Sequence, residues 1–186
     1  MFPRDERGLN LANEGKIDGN AYQVLNLRKI TGNRYPNLIR VNEPYVRIYL
    51  SAFVTDKKMK INDWNDLAPY RIAVLRDGKT GELRTKEFVA AEKQTPVTDP
   101  DQAFDMLSQG KIDAVVTDEI KGRFFMGNRR HIYIRGRFEP SDIYLYLNKK
   151  HRDLVPKIEK QVRQMRQDGT LDEIEKTVRK KILESS

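Results

Sequence analysis

The chain has 186 residues, 33% of them charged and 38% apolar, a balance that fits a water-exposed globular protein of one domain or two small lobes. No apolar run approaches the roughly 18 residues of a membrane span. The absence of cysteine excludes disulfides, thiolate metal sites and cysteine nucleophiles, and His131 and His151 stand in no metal-ligand spacing. The net charge of +8 is spread out: residues 1–50, 51–148 and 149–186 carry 8, 16 and 11 basic against 5, 15 and 7 acidic side chains, excesses of +3, +1 and +4. No single block reads as a polyanion-binding arm.

Along the chain the first informative segment is Leu9–Asp18, an apolar helical end running into Gly15 and then Lys16-Ile17-Asp18. It recurs 95 residues later as Phe104–Asp113, with Gly110-Lys111-Ile112-Asp113 in the same places. In both copies the glycine suits the left-handed residue after a helix, and an extended stretch follows. The repeated unit of helix, glycine stop and strand predicts two related lobes. Ile48–Val54 reads as an extended crossing between them. Tyr70–Leu75 reads as a strand, Asp77–Gly81 as a turn, Glu82–Glu92 as a helix and Thr95–Thr98 as a short strand. Asp99, with Pro100 behind it, is a strong helix start. That helix ends at Gly110, and Ile112–Thr117 is a short apolar run of the buried parallel type. Strands alternating with helices predict an α/β fold with mostly parallel sheets and flanking helices. Ile143–Leu147 is the expected return crossing. Leu154, Ile158, Val162 and Met165 make one helical stripe, Gly169 stops it, and Thr170–Glu173 has the form of a capping box opening a last helix.

Taken together, these residues resemble the family 3 extracellular solute-binding proteins, the amino-acid-type periplasmic receptors. Gly110–Glu119 is similar to the family's second-lobe motif, a Gly-x-hydrophobic-Asp-Ala strand ending in Asp-Glu. Val74–Thr80 looks like its strand-turn element, with one extra residue. Pro44-Tyr45 resembles the pair ahead of its hinge, and Tyr144–Lys150 and Asp168–Leu171 are similar to its closing strand and helical hairpin. Arg7–Gly19 matches the opening of members described only as transporter substrate-binding domains. The resemblance implies a two-lobed periplasmic binding protein type 2 fold, with lobe one at 1–56 plus 142–186 and lobe two at 57–141. It also implies that the opening β-α-β of lobe one is missing. On that reading the missing part is supplied in trans, by a homodimer or domain swap, or the chain is a fragment of a longer exported protein.

The resemblance implies a small-molecule ligand held in an inter-lobe cleft, for transport with ABC transporter membrane subunits or for sensing, in the periplasm, without a cofactor. Met1–Asp5 lacks the apolar core of a signal peptide, which leaves export open because a mature chain would read the same. Asp118, at a strand end, matches the family residue that holds an ammonium group; read on its own it is equally an N-cap for the next helix. Gly78, Lys79 and Thr80 precede a helix, so their N–H groups would face an anion, or they form an ordinary turn. Lys79 replaces the small hydroxyl residue usual there. In lobe one, Tyr22 and Gln23 fall on cleft positions of the family pattern. The family's carboxylate-gripping arginine position holds Ile30, and Arg28 is the nearest substitute.

An enzyme, dehydratase-like on the same fold, lacks any supporting Ser-His-Asp spacing, Gly-x-Ser-x-Gly or metal cluster. Nucleic-acid binding is suggested by Lys121–Phe138, where basic residues alternate with Phe124, Phe125, Tyr133 and Phe138. The plainer account is a core of aromatics with solvated arginines, so no nucleic acid is expected. A regulator's effector domain shares the fold, but no helix-turn-helix precedes it here.

Overall fold

The glycine-stopped helix predicted twice is formed twice in the computed structural model, which describes residues 4–75 and 79–184. Helix α1 (Arg4–Asn13) runs into Gly15 at φ +75° and strand β1 (Gly19–Val24); α4 (Pro100–Ser108) runs into Gly110 at φ +68° and β6 (Ala114–Asp118). The closing hydrogen bonds correspond one to one. Gly15 N–H donates to Ala12 and Lys16 N–H to Leu11, as Gly110 donates to Leu107 and Lys111 to Met106. These bonds satisfy carbonyls that the helix leaves open, and the left-handed glycine lets the chain reverse without a Cβ clash.

The chain divides into two compact units, Met1–Arg47 with Ser141–Val178, and Ile48–Pro140 with Arg179–Ser186. In the first, β8 (Pro140–Asn148) pairs antiparallel with β1 and with β2 (Leu38–Arg40); a short α2 (Leu27–Ile30) follows β1, and α6 (Val155–Gln167) follows β8. Alternation along β8 sorts the core onto two faces. Tyr144 and Tyr146 pack with Leu9, Ala12, Leu27 and Tyr35 of one cluster, and Leu147 joins Val41 and Val155 in another. The final helix, α7 (Thr170–Glu184), is capped by Asp168, whose Oδ1 accepts from Thr170 N–H at 3.0 Å and Thr170 Oγ1–H at 2.6 Å. Asp168 therefore takes the capping role that the sequence pattern gave to Thr170.

In the second unit β4 (Ile72–Leu75) lies between β5 (Gln94–Val97) and β6, both parallel to it, while β3 (Val46–Val54) pairs antiparallel with β6 and with β7 (Tyr133–Arg135). The fold is α/β as expected, but the sheet is mixed rather than mostly parallel: among the described residues the ladders of β4 are parallel, and those of β3 and β8 are antiparallel because these strands return against their neighbours. Helix α4 starts as read, Asp99 Oδ1 accepting from Asp101 N–H at 3.0 Å. Phe53, Phe104 and Val115 fill one face of the sheet; Leu50, Ala52, Val116, Trp64 and Phe138 fill the other. Trp64 stacks on Phe138 at 4.1 Å, and its indole N–H donates to Glu139 at 2.6 Å. Helix α5 (Glu119–Met126) crosses the first face so closely that a Cβ on Gly122 would lie 2.2 Å from the Phe53 ring.

The repeated aspartate is a clamp in both units, with different cations. Asp113 receives Arg71 Nη2 at 2.7 Å, Nε at 3.1 Å and the Arg71 backbone N–H at 2.8 Å, tying the start of β4 to the end of the α4 turn. These hydrogen bonds hold the Asp113 carboxyl below the usual carboxylate range. Asp18 instead meets His151 Nε2 at 2.7 Å and Lys150 Nζ at 3.2 Å. The echo fades at the isoleucines, since Ile112 is 2% exposed and Ile17 39%.

Two outcomes follow. Gly122→Ala should cost about 1–3 kcal/mol in urea unfolding, because Phe53 has no room to yield. Asp113→Asn should lower stability near neutral pH. A lowered native pKa stabilises above the unfolded value, near 4, and that stabilisation is lost as pH falls through the native value. The gap between variant and wild type should therefore hold from about pH 7 to 5 and close in stronger acid; a gap unchanged down to unfolding would contradict the clamp.

Candidate functional site

Parallel pairing of β4 with β6 brings the carboxyl ends of both strands to one edge of the second unit, the edge where ligands of open α/β sheets bind. Asp118 closes β6 there. It is 6% exposed, and its Oδ1 accepts from Lys121 N–H at 2.8 Å, so the capping role is realised. On the neighbouring strand the chain passes from Leu75 to α3 (Lys79–Phe88). Gly81, in the first turn of α3, lies 3.8 Å from Leu50 Cδ2 by its Cβ position, and Leu50 is the register partner of Asp118 across β3 and β6. The start of α3 and Asp118 thus share one end of the sheet. Helix geometry leaves the first-turn N–H groups without intrahelical acceptors, and the helix dipole makes that end attractive to an anion. Lys79 and Thr80 open this helix rather than belonging to the turn before it, so α3 begins earlier than the glycine-rich sequence suggests. Gly78 lies outside the described residues.

A second group of side chains stands beside Asp118, and sequence reasoning did not single it out as a site. Glu119 Oε1 accepts from Arg123 Nη2 at 3.1 Å, and its Oε2 meets Arg137 Nε at 3.1 Å. The Arg137 guanidinium lies 3.9 Å over the Tyr49 ring. Between Arg135, paired with Ala52, and Phe138, whose N–H donates to Leu50, one extra residue bulges outward at Gly136, φ +67°. The bulge opens a depression of about 520 Å³ beside Ser51, whose buried Oγ finds no hydrogen-bond partner among the described residues. The i, i+4 spacing of Glu119 and Arg123 was a readable signal. Nothing local foretold that Arg137, 18 residues on, would take the other carboxylate oxygen.

The first-unit candidates separate. Tyr22 stands in β1 at φ +76°, inside the irregularity between Asn20 and Gln23, and is 42% exposed. Such a φ is uncommon for a side chain of this size and marks strained positions that gather at sites. Gln23 is 5% exposed, and its amide nitrogen donates to Asn20 Oδ1 at 2.9 Å. Arg28 belongs to α2 and lines a pocket from which Tyr22 and Gln23 are absent.

The basic and aromatic stretch from Lys121 to Phe138 divides in space. Phe138 is core, Phe125 and Tyr133 pack against the core, and Phe124 is exposed. Arg123 and Arg137 hold Glu119, and Arg129 holds Asp105 at 2.7 Å. No helix among the described residues is long and apolar enough to cross a membrane.

Comparison with known proteins agrees with this architecture. No family model matches the sequence. An uncharacterised protein of Shewanella oneidensis is 25% identical over 174 residues, which cover 89% of this chain and 64% of the relative. The chain thus spans less than two thirds of that relative's length. An ancestral arginine-binding protein bound to glutamine superimposes with a TM-score of 0.73 at 24% identity, over 95% of this chain and 77% of that one. An amino acid ABC transporter substrate-binding protein from Streptococcus pneumoniae, bound to L-arginine, superimposes with a TM-score of 0.71 at 17% identity, over 94% and 73%. The chain carries the α/β fold of the family 3 extracellular solute-binding proteins.

Proposed function

We propose that this protein binds a small polar solute, amino-acid-like in carrying both an ammonium and a carboxylate group, and that it is a binder rather than an enzyme. One observation carries the reading: Asp118 and the first turn of α3 meet at the carboxyl edge of the parallel strands. The carboxylate offers a charge-assisted hydrogen bond to an ammonium, and the helix start offers N–H groups to an anion. One Asp118 oxygen caps α5 through Lys121, and the other is buried at the same strand end. Two of the proteins that share the fold bind arginine and glutamine by their descriptions, which supports this ligand class. Lys79 stands where the family pattern has a small hydroxyl residue, a substitution that suits a more anionic member of it or a side chain turned to solvent. Tyr22 and Gln23 belong to the proposal as first-unit residues, with the left-handed backbone of Tyr22 in their favour. Arg28, the third first-unit candidate, lines a different pocket from Tyr22 and Gln23 and stays outside this site. A place in the periplasm, with ABC transporter membrane subunits or a sensor as the recipient of the loaded protein, completes the reading.

Native mass spectrometry of the purified protein should reveal a co-purified small molecule. Asp118→Asn and Thr80→Ala should each weaken calorimetric binding of that molecule, or of arginine or glutamine, without altering the unfolding midpoint by much. Losing one charged hydrogen bond corresponds to about 1.5–3 kcal/mol, roughly one to two decades in affinity. Equal affinity in both variants and wild type would remove the second-unit site.

A further inference from the structure

We propose that the first unit carries a separate binding site for an organic anion, a carboxylate or phosphate on a compact apolar body, in the pocket bordered by Arg28, Arg40 and Arg152. This pocket, about 500 Å³, lies wholly within the first unit, and none of the residues lining it is acidic. Its volume falls in the range of small-molecule sites. The floor is apolar and aromatic, built by Tyr35, Leu38 and Tyr146.

The three arginines differ in a way that suits capture of an anion. Arg40 is fixed: Nη1 donates to the Leu25 carbonyl at 3.0 Å, Nε and Nη2 to Asn42 Oδ1 at 3.2 and 2.9 Å, and the guanidinium lies 5.2 Å over the Tyr144 ring. All of these partners are neutral, so its charge is held in place without being cancelled. The nearest carboxylate on this network is Glu159, which accepts from Asn42 and does not line the pocket. Arg28 and Arg152 are exposed, and neither guanidinium forms an ion pair or hydrogen bond with any described residue. Arg34, Arg47, Arg71, Arg84, Arg123, Arg129, Arg137 and Arg163 instead reach carboxylates. Three cations around an apolar floor focus a positive potential where no described lining side chain is acidic. The planar guanidinium fork matches the oxygens of a carboxylate or phosphate. Arg28 thereby gains a role at a site of its own, independent of the second-unit residues proposed to hold the amino-acid-like solute.

Titration calorimetry at low salt with phenyl phosphate and with benzoate tests this. Wild type should bind at least one of them with a Kd below about 1 mM, and the preferred probe tells phosphate from carboxylate. The double variant Arg28→Gln/Arg152→Gln changes only exposed side chains and should weaken that binding at least about tenfold. Asp118→Asn should leave it unchanged, which separates this site from the solute site. No binding of either probe by wild type would overturn the proposal, as would equal binding by the double variant or loss in Asp118→Asn. Inorganic phosphate binding as tightly as the preferred probe would also overturn it, since the apolar floor would then contribute nothing.

Discussion

The pairing of β4 with β6 in parallel is the constraint on which the second unit depends. Two parallel neighbours need a crossover between them, and α3, β5 and α4 supply it, covering the sheet as they pass. The same pairing sends both strands to finish on one edge, so a helix start and a strand-end carboxylate become neighbours without any loop designed to join them. Burial enforces the register. Ala114, Val115 and Val116 alternate between two apolar clusters, and a slip of one residue would exchange their faces. What the edge can bind is therefore decided by packing some distance from it.

The repeat shows the same local device under two different demands. Leu11 and Ala12 cap α1 through the same bonds as Met106 and Leu107 cap α4, and each glycine turns the chain to the same hand. Beyond the turn the units diverge. β6 is flanked by β3 and β4, whereas β1 pairs with β8 alone among the described residues. Ile112 is accordingly buried and Ile17 exposed. The aspartate persists in both copies because it follows a glycine-capped helix and can fasten the strand start to a cation. The cation's origin is free to change, from Arg71 ahead of β4 to His151 and Lys150 after β8.

These contrasts explain what was legible in the sequence. Left-handed glycines, the Asp99 cap and the apolar run into Asp118 are local signals, each interpretable within a few residues, and they placed the helix–strand order correctly. The start of α3 was misjudged because Gly-Lys-Thr-Gly carries turn residues, yet Gly81 sits against Leu50 at a distance where a small residue serves the helix packing. The cap of α7 moved from Thr170 to Asp168 because a carboxylate two residues earlier accepts both the Thr170 N–H and its hydroxyl. The Glu119, Arg137 and Tyr49 group was invisible because it joins residues from three distant segments, and only the folded register of β3 and β7 brings them together. The arginine pocket was hidden in the same way: α2, β2 and the turn after β8 each bring one cation, and no window of sequence contains all three.

The distribution of arginine pairing connects the charge balance to these sites. Exposed ion pairs contribute little to stability individually, so the many pairs here matter more for where they hold side chains than for free energy. Arg71 fixes a strand start, Arg84 joins Glu139 near the Trp64 ring, and Arg137 stands over Tyr49 while holding Glu119, each guanidinium committed in both position and charge. A chain with a net charge of +8 cannot commit all its cations this way, and the surplus has to stand somewhere. Scattered over open surface it would be screened by salt within about 10 Å. Around a partly apolar pocket, with Arg40 anchored to neutral partners, the same surplus acts on a region of lower dielectric and keeps more of its strength. Charge that is featureless in the composition thus acquires a location through the packing of the first unit.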